Sequence, residues 1–242
     1  KKKYYVCKIV KNVGLSSNFY KGDRAMRESG FDTSFRFGPF SADTIDYAPV
    51  DLNSLLYKTE RDLEWMSTQL GKQALANHWA KKAKLRSKLI NQYLWNKQLG
   101  IYLDYNVKTK KQSLYPYATT FYPLWAGIAS LNQAKRLVNN LRYFEKPGGI
   151  VTSLRPTGLQ WDYPYGWAPI QLITIEGLYR YAFDEDAYRI SHKFLAMVLK
   201  NYLRDKTIRE KYDVVSGSSQ TNIEIGYKMN VIGFGWTNGV FL

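Results

Sequence analysis

Residues Asp51–Leu70 read DLNSLLYKTERDLEWMSTQL, and this stretch decides the fold class. Leu52, Leu55, Leu56, Leu63, Trp65, Met66 and Leu70 recur at spacings that mark one face of a helix. Gly71 is a natural stop, because glycine disfavours helix interiors and suits helix ends. A second helix is expected from Gln73 to about Asn96, carrying Leu75, Trp79, Ala83, Leu85, Leu89, Ile90, Tyr93 and Leu94. Two helices joined at one glycine make an antiparallel hairpin.

The same pattern extends in both directions. Upstream, 1–23 reads as irregular or strand-like, with apolar alternation at Tyr4-Tyr5-Val6 and Ile9-Val10. Asp23 to Arg27 could begin a helix that breaks at Ser29-Gly30, and Phe31 to Pro49 reads as loop. Downstream, Gly100 to Tyr105 alternates as a short strand or hairpin. Thr119 to Leu131 and Gln133 to Phe144 look like a helical pair divided at Asn132, ended by Pro147-Gly148-Gly149. Ala168 to Phe183 and Glu185 to Leu203 look like another pair, divided at Asp184. Residues 214–233 lack periodicity, and Gly235 to Leu242 opens a last helix. The expectation is an all-α protein of one domain over 1–242, an α-toroid of stacked helical hairpins with its loops gathered at one end. Long loops in a compact fold are usually functional.

Composition narrows the chemistry. Hydrophobic residues are 45% and charged residues 23% of 242, which suits a packed domain rather than a disordered chain. No run approaches the roughly 20 apolar residues of a membrane span. The opening Lys1-Lys2-Lys3 is not followed by a secretory apolar region. Cys7 is the single cysteine, and His78 and His192 stand far apart, so a disulfide framework and a zinc site are not expected. Glycine-rich phosphate loops are absent from the sequence, and no cofactor is implied. The net charge of +15 raises nucleic acid as a partner, but the lysines are scattered, with mild clusters at Lys1–Lys3, Lys81–Arg86 and Lys108–Lys111. Aromatic residues reach 16%, which suits either sugar-binding walls or an ordinary core.

Three loop segments combine carboxylates with aromatics and glycines: Arg24–Phe37, Gln160–Pro169, and Glu210–Asp213 followed by Glu224 and Gly233–Gly239. Without Ser–His or Cys–His pairing, two carboxylates are the natural catalytic candidates, as glycoside hydrolysis requires. Spacing alone does not select the two among twenty acidic residues. Glu28 and Asp32 stand out because each lies beside a glycine break and aromatics.

Gln160-Trp-Asp-Tyr-Pro-Tyr-Gly-Trp-Ala-Pro169 resembles the signature decapeptide of trehalases, glycoside hydrolase family 37. Arg24–Phe37 resembles the family's general-acid segment, closest in wording to the neutral, cytosolic type. Glu210–Asp213 with the closing Gly-Phe-Gly-Trp-Thr-Asn-Gly run resembles its general-base segment. The segments stand in the family's order and, with Val50–Asn53, cover most of 19–240. The resemblance implies an (α/α)6 toroid and inverting hydrolysis of α,α-trehalose to two glucose molecules. It implies Asp32 as general acid and Glu210 as general base. Gly30 would meet substrate through its backbone, Trp161 and Trp167 would shape the sugar pocket, and Glu224 would bind a sugar hydroxyl. Inversion implies carboxyl groups about 6.5–9.5 Å apart. Burial against Phe31, Phe35 or Trp236 would keep Asp32 protonated, and Lys211 or Arg209 would keep Glu210 ionised.

The sequence departs from the family pattern in four places. Phe31 stands where Trp is more frequent. Ser216–Asn222 replaces a glycine-rich run, and extra residues separate Glu224 from Gly233. The family's N-terminal portion, with arginines that grip trehalose, has no match, so the toroid is expected to be incomplete on that side, with its N-terminal half as a partner. The other expectations are a disaccharide substrate, neither nucleic acid nor membrane, and a cytoplasmic location. The alternatives are another (α/α)6 α-glucosidase and an inactive sugar-binding fragment.

Overall fold

The structure, a computed structural model, describes residues 7–9, 12–224 and 226–241. The expected alternation at Tyr4–Val6 and Val10 lies outside them. Eight α-helices occur among the described residues: α1 (Ser17–Glu28), α2 (Val50–Gln69), α3 (Gln73–Leu89), α4 (Tyr122–Trp125), α5 (Leu131–Phe144), α6 (Ala168–Arg180), α7 (Asp184–Asp205) and α8 (Gly235–Phe241). The strands are short and form sheets of two or three strands. No helix among these residues is long and apolar enough to cross a membrane.

Local chemistry explains most helix ends. Helix α1 starts earlier than its sequence suggests, because the Ser16 side chain caps it by accepting from Phe19 N at 3.2 Å. It ends at Ser29-Gly30 as expected, with Gly30 at φ +80. Gly71, at φ +66, turns α2 into α3. Helix α3 runs on through a wider π turn at Ile90–Leu94, and Trp95-Asn96 then leaves as a strand paired with Ile101-Tyr102. Asn132 divides nothing. The break comes at Ser130, whose side chain accepts from Gln133 N while Gln133 Oε1 accepts from Ser130 N, a reciprocal cap for α5. Upstream of it, 119–131 yields only the 3-10 turn Ala118–Phe121, short α4 and a bend. Three acidic residues, Asp184, Glu185 and Asp186, open α7 at the positive end of its dipole.

The core lies under α4–α7. Phe121, Leu124, Leu137, Phe144, Leu178, Ile190 and Phe194 are buried together. Gly177 lets α6 approach α4 closely: a β-carbon there would lie 2.9 Å from both Leu124 Cβ and Trp125 N.

The α2–α3 hairpin corrects the sequence reading. Its interface is small and polar: Ser54, Glu60, Ser67, Ala76 and Ala83 are buried. Arg86 of α3 bonds both oxygens of Glu60 at 2.9 and 2.8 Å. The leucine-rich stripe points outward, with Trp65 63% and Leu70 70% exposed, and Leu52, Leu55, Met66, Leu75, Leu85 and Leu89 exposed beside them. The period was read correctly, but it marks a face that no described residue covers.

Glu145, just after α5, is gripped by Arg189 at 2.8 and 2.9 Å and by Lys193 at 2.6 Å, both from α7. These bonds hold its carboxyl below the usual glutamate range, Arg189 contributing most. A carboxyl depressed on folding stabilises at neutral pH, and that contribution is lost as pH falls through its native value. Glu145→Gln is therefore expected to lower the urea midpoint at pH 7. The gap to the parent chain should close as pH drops below about 4.3. A gap independent of pH would contradict this role.

Candidate active site

The loop that carries Asp32 follows α1 directly. Gly30 takes a left-handed conformation, and a β-carbon there would meet no atom within 4 Å, so open space lies over its backbone. Asp32, two residues on, is half-buried. The Gln160 side-chain amide donates to the Asp32 carbonyl, and Trp161 N donates to Thr33 O at 3.2 Å. Two residues further, Phe35 N donates to Asp162 Oδ2 at 3.0 Å.

Asp162 is 0% exposed. It also accepts from Tyr115 Oη at 2.8 Å and Thr157 Oγ1 at 2.7 Å. Burial pushes its carboxyl above the usual aspartate range, and these hydrogen bonds oppose the rise. Arg36 pins the other end of the loop. It bonds both oxygens of Asp104 at 2.7 and 2.6 Å, and Asp51 at 2.6 Å. Asp104 Oδ1 also accepts Val50 N at 2.9 Å, so this buried ionic knot joins the acid loop to the start of α2. The Arg36 guanidinium packs against the rings of Tyr117 and Phe37 at 4.6 and 4.7 Å, which shields the charges from water.

Glu210 sits at the entry to strand Lys211–Asp213, which pairs antiparallel with Tyr165–Trp167 so that Trp167 faces Lys211. Its backbone is held on both sides: Glu210 N donates to Val231 O at 2.9 Å, and Glu210 O accepts Trp236 Nε1 at 3.1 Å. Its carboxylate accepts Lys211 Nζ at 2.7 Å. Lys211 is 0% exposed, lies 5.1 Å from the Trp167 ring centre and donates to Met229 O at 3.2 Å. Of the two cations that sequence offered, Lys211 pairs with Glu210. Arg209 turns to Thr207 Oγ1 and Asn230 O.

Burial is the main force raising Asp32 above the ordinary aspartate range. The Glu210 charge adds to the rise, while the Asp32 backbone amide, the Tyr227 hydroxyl and Arg27 oppose it. Asp32 is thus raised partly by the charge of Glu210, whose carboxylate is paired with a buried ammonium. That combination suits an acid and a base working on one bond.

Trp161 and Trp167 stack at 3.9 Å and 4°, and Trp236 meets both edge-on at 6.3 and 5.6 Å. Both stacked rings are buried, with Phe31 against Trp161 at 4.9 Å. Glu224 is exposed and lies beside Gly158: Glu224 N donates to Gly158 O at 3.1 Å, and a β-carbon at Gly158 would be 2.8 Å from Glu224 Oε2. From that segment Tyr227 Oη accepts from Arg27 Nη1 at 3.1 Å. A cavity of about 600 Å³ lies elsewhere, between the α2–α3 hairpin and Tyr105, and is lined by neither Asp32 nor Glu210. The sequence reading missed the anchoring contacts of Asp162 and Arg36. An aspartate between Trp161 and Tyr163 was one available signal for a buried anchor.

Asp162→Ala leaves three donors unpaired in the interior. It is expected to cost about 3–5 kcal/mol in urea unfolding, with Asp162→Asn milder. A loss under about 1 kcal/mol would show that the network does not hold the loop.

The family profile for trehalase matches residues 1–242. The chain is 36% identical to the cytosolic neutral trehalase of Neurospora crassa and 37% identical to that of Kluyveromyces lactis. Each match covers 93% of this chain, and 35% and 33% of those proteins. It is 38% identical to a periplasmic trehalase of Escherichia coli, covering 94% of this chain and 41% of that one. The chain thus spans about a third of the length of the first of these relatives. Among solved structures, the neutral trehalase of Saccharomyces cerevisiae superposes with a TM-score of 0.79 at 34% identity, over 93% of this chain and 42% of that one. A GH63 mannosylglycerate hydrolase of Thermus thermophilus shares the fold at 20% identity and a TM-score of 0.61, over 81% of this chain and 45% of that one. The architecture is that of the (α/α)6 toroid of glycoside hydrolases. The resemblance carried by the decapeptide and its flanking segments is one of descent: the chain belongs to the trehalase family.

Proposed function

We propose that this chain carries the acid and base that hydrolyse α,α-trehalose to two glucose molecules with inversion. The observation that carries this reading is the contrast at Asp32 and Glu210: a carboxyl pushed toward its protonated form, beside a carboxylate paired with buried Lys211. Asp32 delivers its proton to the glycosidic oxygen as the bond to the anomeric carbon breaks. Glu210 takes a proton from the water that attacks that carbon from the opposite face. The departing glucose keeps its configuration and the attacked one inverts. The Trp161–Trp167 wall excludes solvent, and Gly30 admits the sugar over its open backbone. Thr33 Oγ1 and Gln160 Oε1 flank Asp32 as buried polar atoms without a protein partner, and sugar hydroxyls would supply them. Glu224, exposed beside Gly158, is assigned to a sugar hydroxyl on the family resemblance.

The outward leucine stripe of α2 and α3 is the proposed seat for the N-terminal half of the toroid. Hydrophobic helix faces of this length demand cover, and the relatives are about three times longer than the chain. The cytosol is the proposed compartment, supported by the names of the fungal relatives.

Glucose release from α,α-trehalose tests the reading. Asp32→Asn and Glu210→Gln should each lower the rate by about 100- to 10,000-fold, with unfolding midpoints near that of the parent chain. Full activity in either variant would remove that residue from the mechanism.

A further inference from the structure

Residues 216–233 are where the sequence leaves the family pattern, and the structure folds part of this stretch against the end of α7. A cavity of about 590 Å³ lies there, between Arg204 and Asp205, Arg209, and the chain at 219–221 and 228–230. Neither Asp32 nor Glu210 lines it.

The lining is basic. Arg204, Arg209 and Lys228 stand against one carboxylate, Asp205, which leaves a surplus of two positive charges. That carboxylate is already engaged. Its Oδ1 accepts Thr207 N at 3.1 Å and Thr207 Oγ1 at 2.6 Å, and its Oδ2 accepts Arg204 Nη2 at 3.2 Å. Arg204 Nη2 also donates to Ser219 Oγ at 2.8 Å. Arg209 pairs with no carboxylate among the described residues. Its Nε donates to Thr207 Oγ1 at 3.0 Å and its Nη1 to Asn230 O at 3.1 Å. Arg204 Nε and Nη1, Arg209 Nη2 and the Lys228 ammonium have no protein partner among the described residues. The Thr221 hydroxyl, on the same wall, is buried and also has no partner, so it has a hydrogen bond still to make.

The two guanidiniums are thus fixed by some of their donors and open at the rest. Donors ordered before a ligand arrives cost less to bind with. A guanidinium fork matches the oxygens of a carboxylate or a phosphate. A phosphate ester carries a charge of about −1.5 to −2 at neutral pH, which balances the surplus. A bare phosphate would leave much of the cavity empty, and Gln220 and Met229 offer an amide and an apolar wall to an organic remainder. A single pocket, with the other lysines scattered, suits a small molecule better than nucleic acid, which needs a continuous basic face.

We propose that this cavity binds the phosphate group of a small phosphate monoester through Arg204, Arg209 and Lys228. The site is separate from the hydrolytic reading and stands whether or not the chain cleaves trehalose. It borders the frame of Glu210. Arg209 is the preceding residue, and Asn230, whose carbonyl Arg209 holds, bonds Lys211 N at 3.2 Å and Lys211 O at 2.8 Å.

The test is calorimetric titration of the whole chain with glycerol 3-phosphate, inorganic phosphate and glycerol at constant ionic strength. Saturable binding of the ester is expected, with inorganic phosphate weaker and glycerol silent. Arg209→Gln and Lys228→Gln should each weaken the ester by about tenfold. Lys228 has no bond to lose among the described residues, so Lys228→Gln reads the site even where Arg209→Gln misfolds. Lys135→Gln removes an equal charge from the exposed side of α5, away from the cavity, and should bind as the parent chain does. No saturable binding of the ester, unchanged binding in Lys228→Gln, or an equal loss in Lys135→Gln overturns the proposal. Inorganic phosphate bound as tightly as the ester overturns the assignment to a monoester.

Discussion

Asp32 and Glu210 lie far apart in the chain, and a single short segment, Gln160–Trp167, holds both. At its start, Gln160 and Trp161 bond the backbone of Asp32 and Thr33, and Asp162 takes Phe35 N. At its end, Trp167 pairs with Lys211, whose ammonium bonds Glu210. Between these ends the two tryptophans stack on each other. Two carboxyls that act on one bond need such a fixed frame, because small misplacements are expensive in rate.

Charge is used sparingly inside this basic protein. Among the described residues, the fully buried basic side chains are Arg36 and Lys211, and both serve the site. Arg36 pairs with Asp51 and Asp104 beneath the loop that carries Asp32, and Lys211 pairs with Glu210. A buried ion pair adds little net stability against an apolar alternative, yet losing one partner is costly. Such pairs fix geometry. The remaining basic charge is largely on the surface, as the scattered lysines suggested.

Much of the fold could be read from periodicity and punctuation, because both act locally. Gly71 and Gly30 end helices by taking left-handed conformations, and the α6–α7 pair sits within a few residues of its expected bounds. What escaped was non-local. The leucines of α2 have helical spacing whichever way they face, and only tertiary structure shows that Glu60 and Arg86 occupy the interface. Asn132 looked like a divider because a reciprocal Ser130–Gln133 cap reads as an ordinary polar pair. The family motifs singled out Asp32 and Glu210, and Lys211 was visible as a neighbour. Asp162 offered only its place between two aromatics, since a buried aspartate acquires meaning from partners distant in sequence.

The inverting, two-carboxylate account makes one stereochemical demand. Proton NMR of the chain with α,α-trehalose, followed from the first minutes in the anomeric region, measures it directly. The account predicts α- and β-glucose appearing in equal amounts before mutarotation mixes them. α-Glucose alone in the first minutes would contradict it.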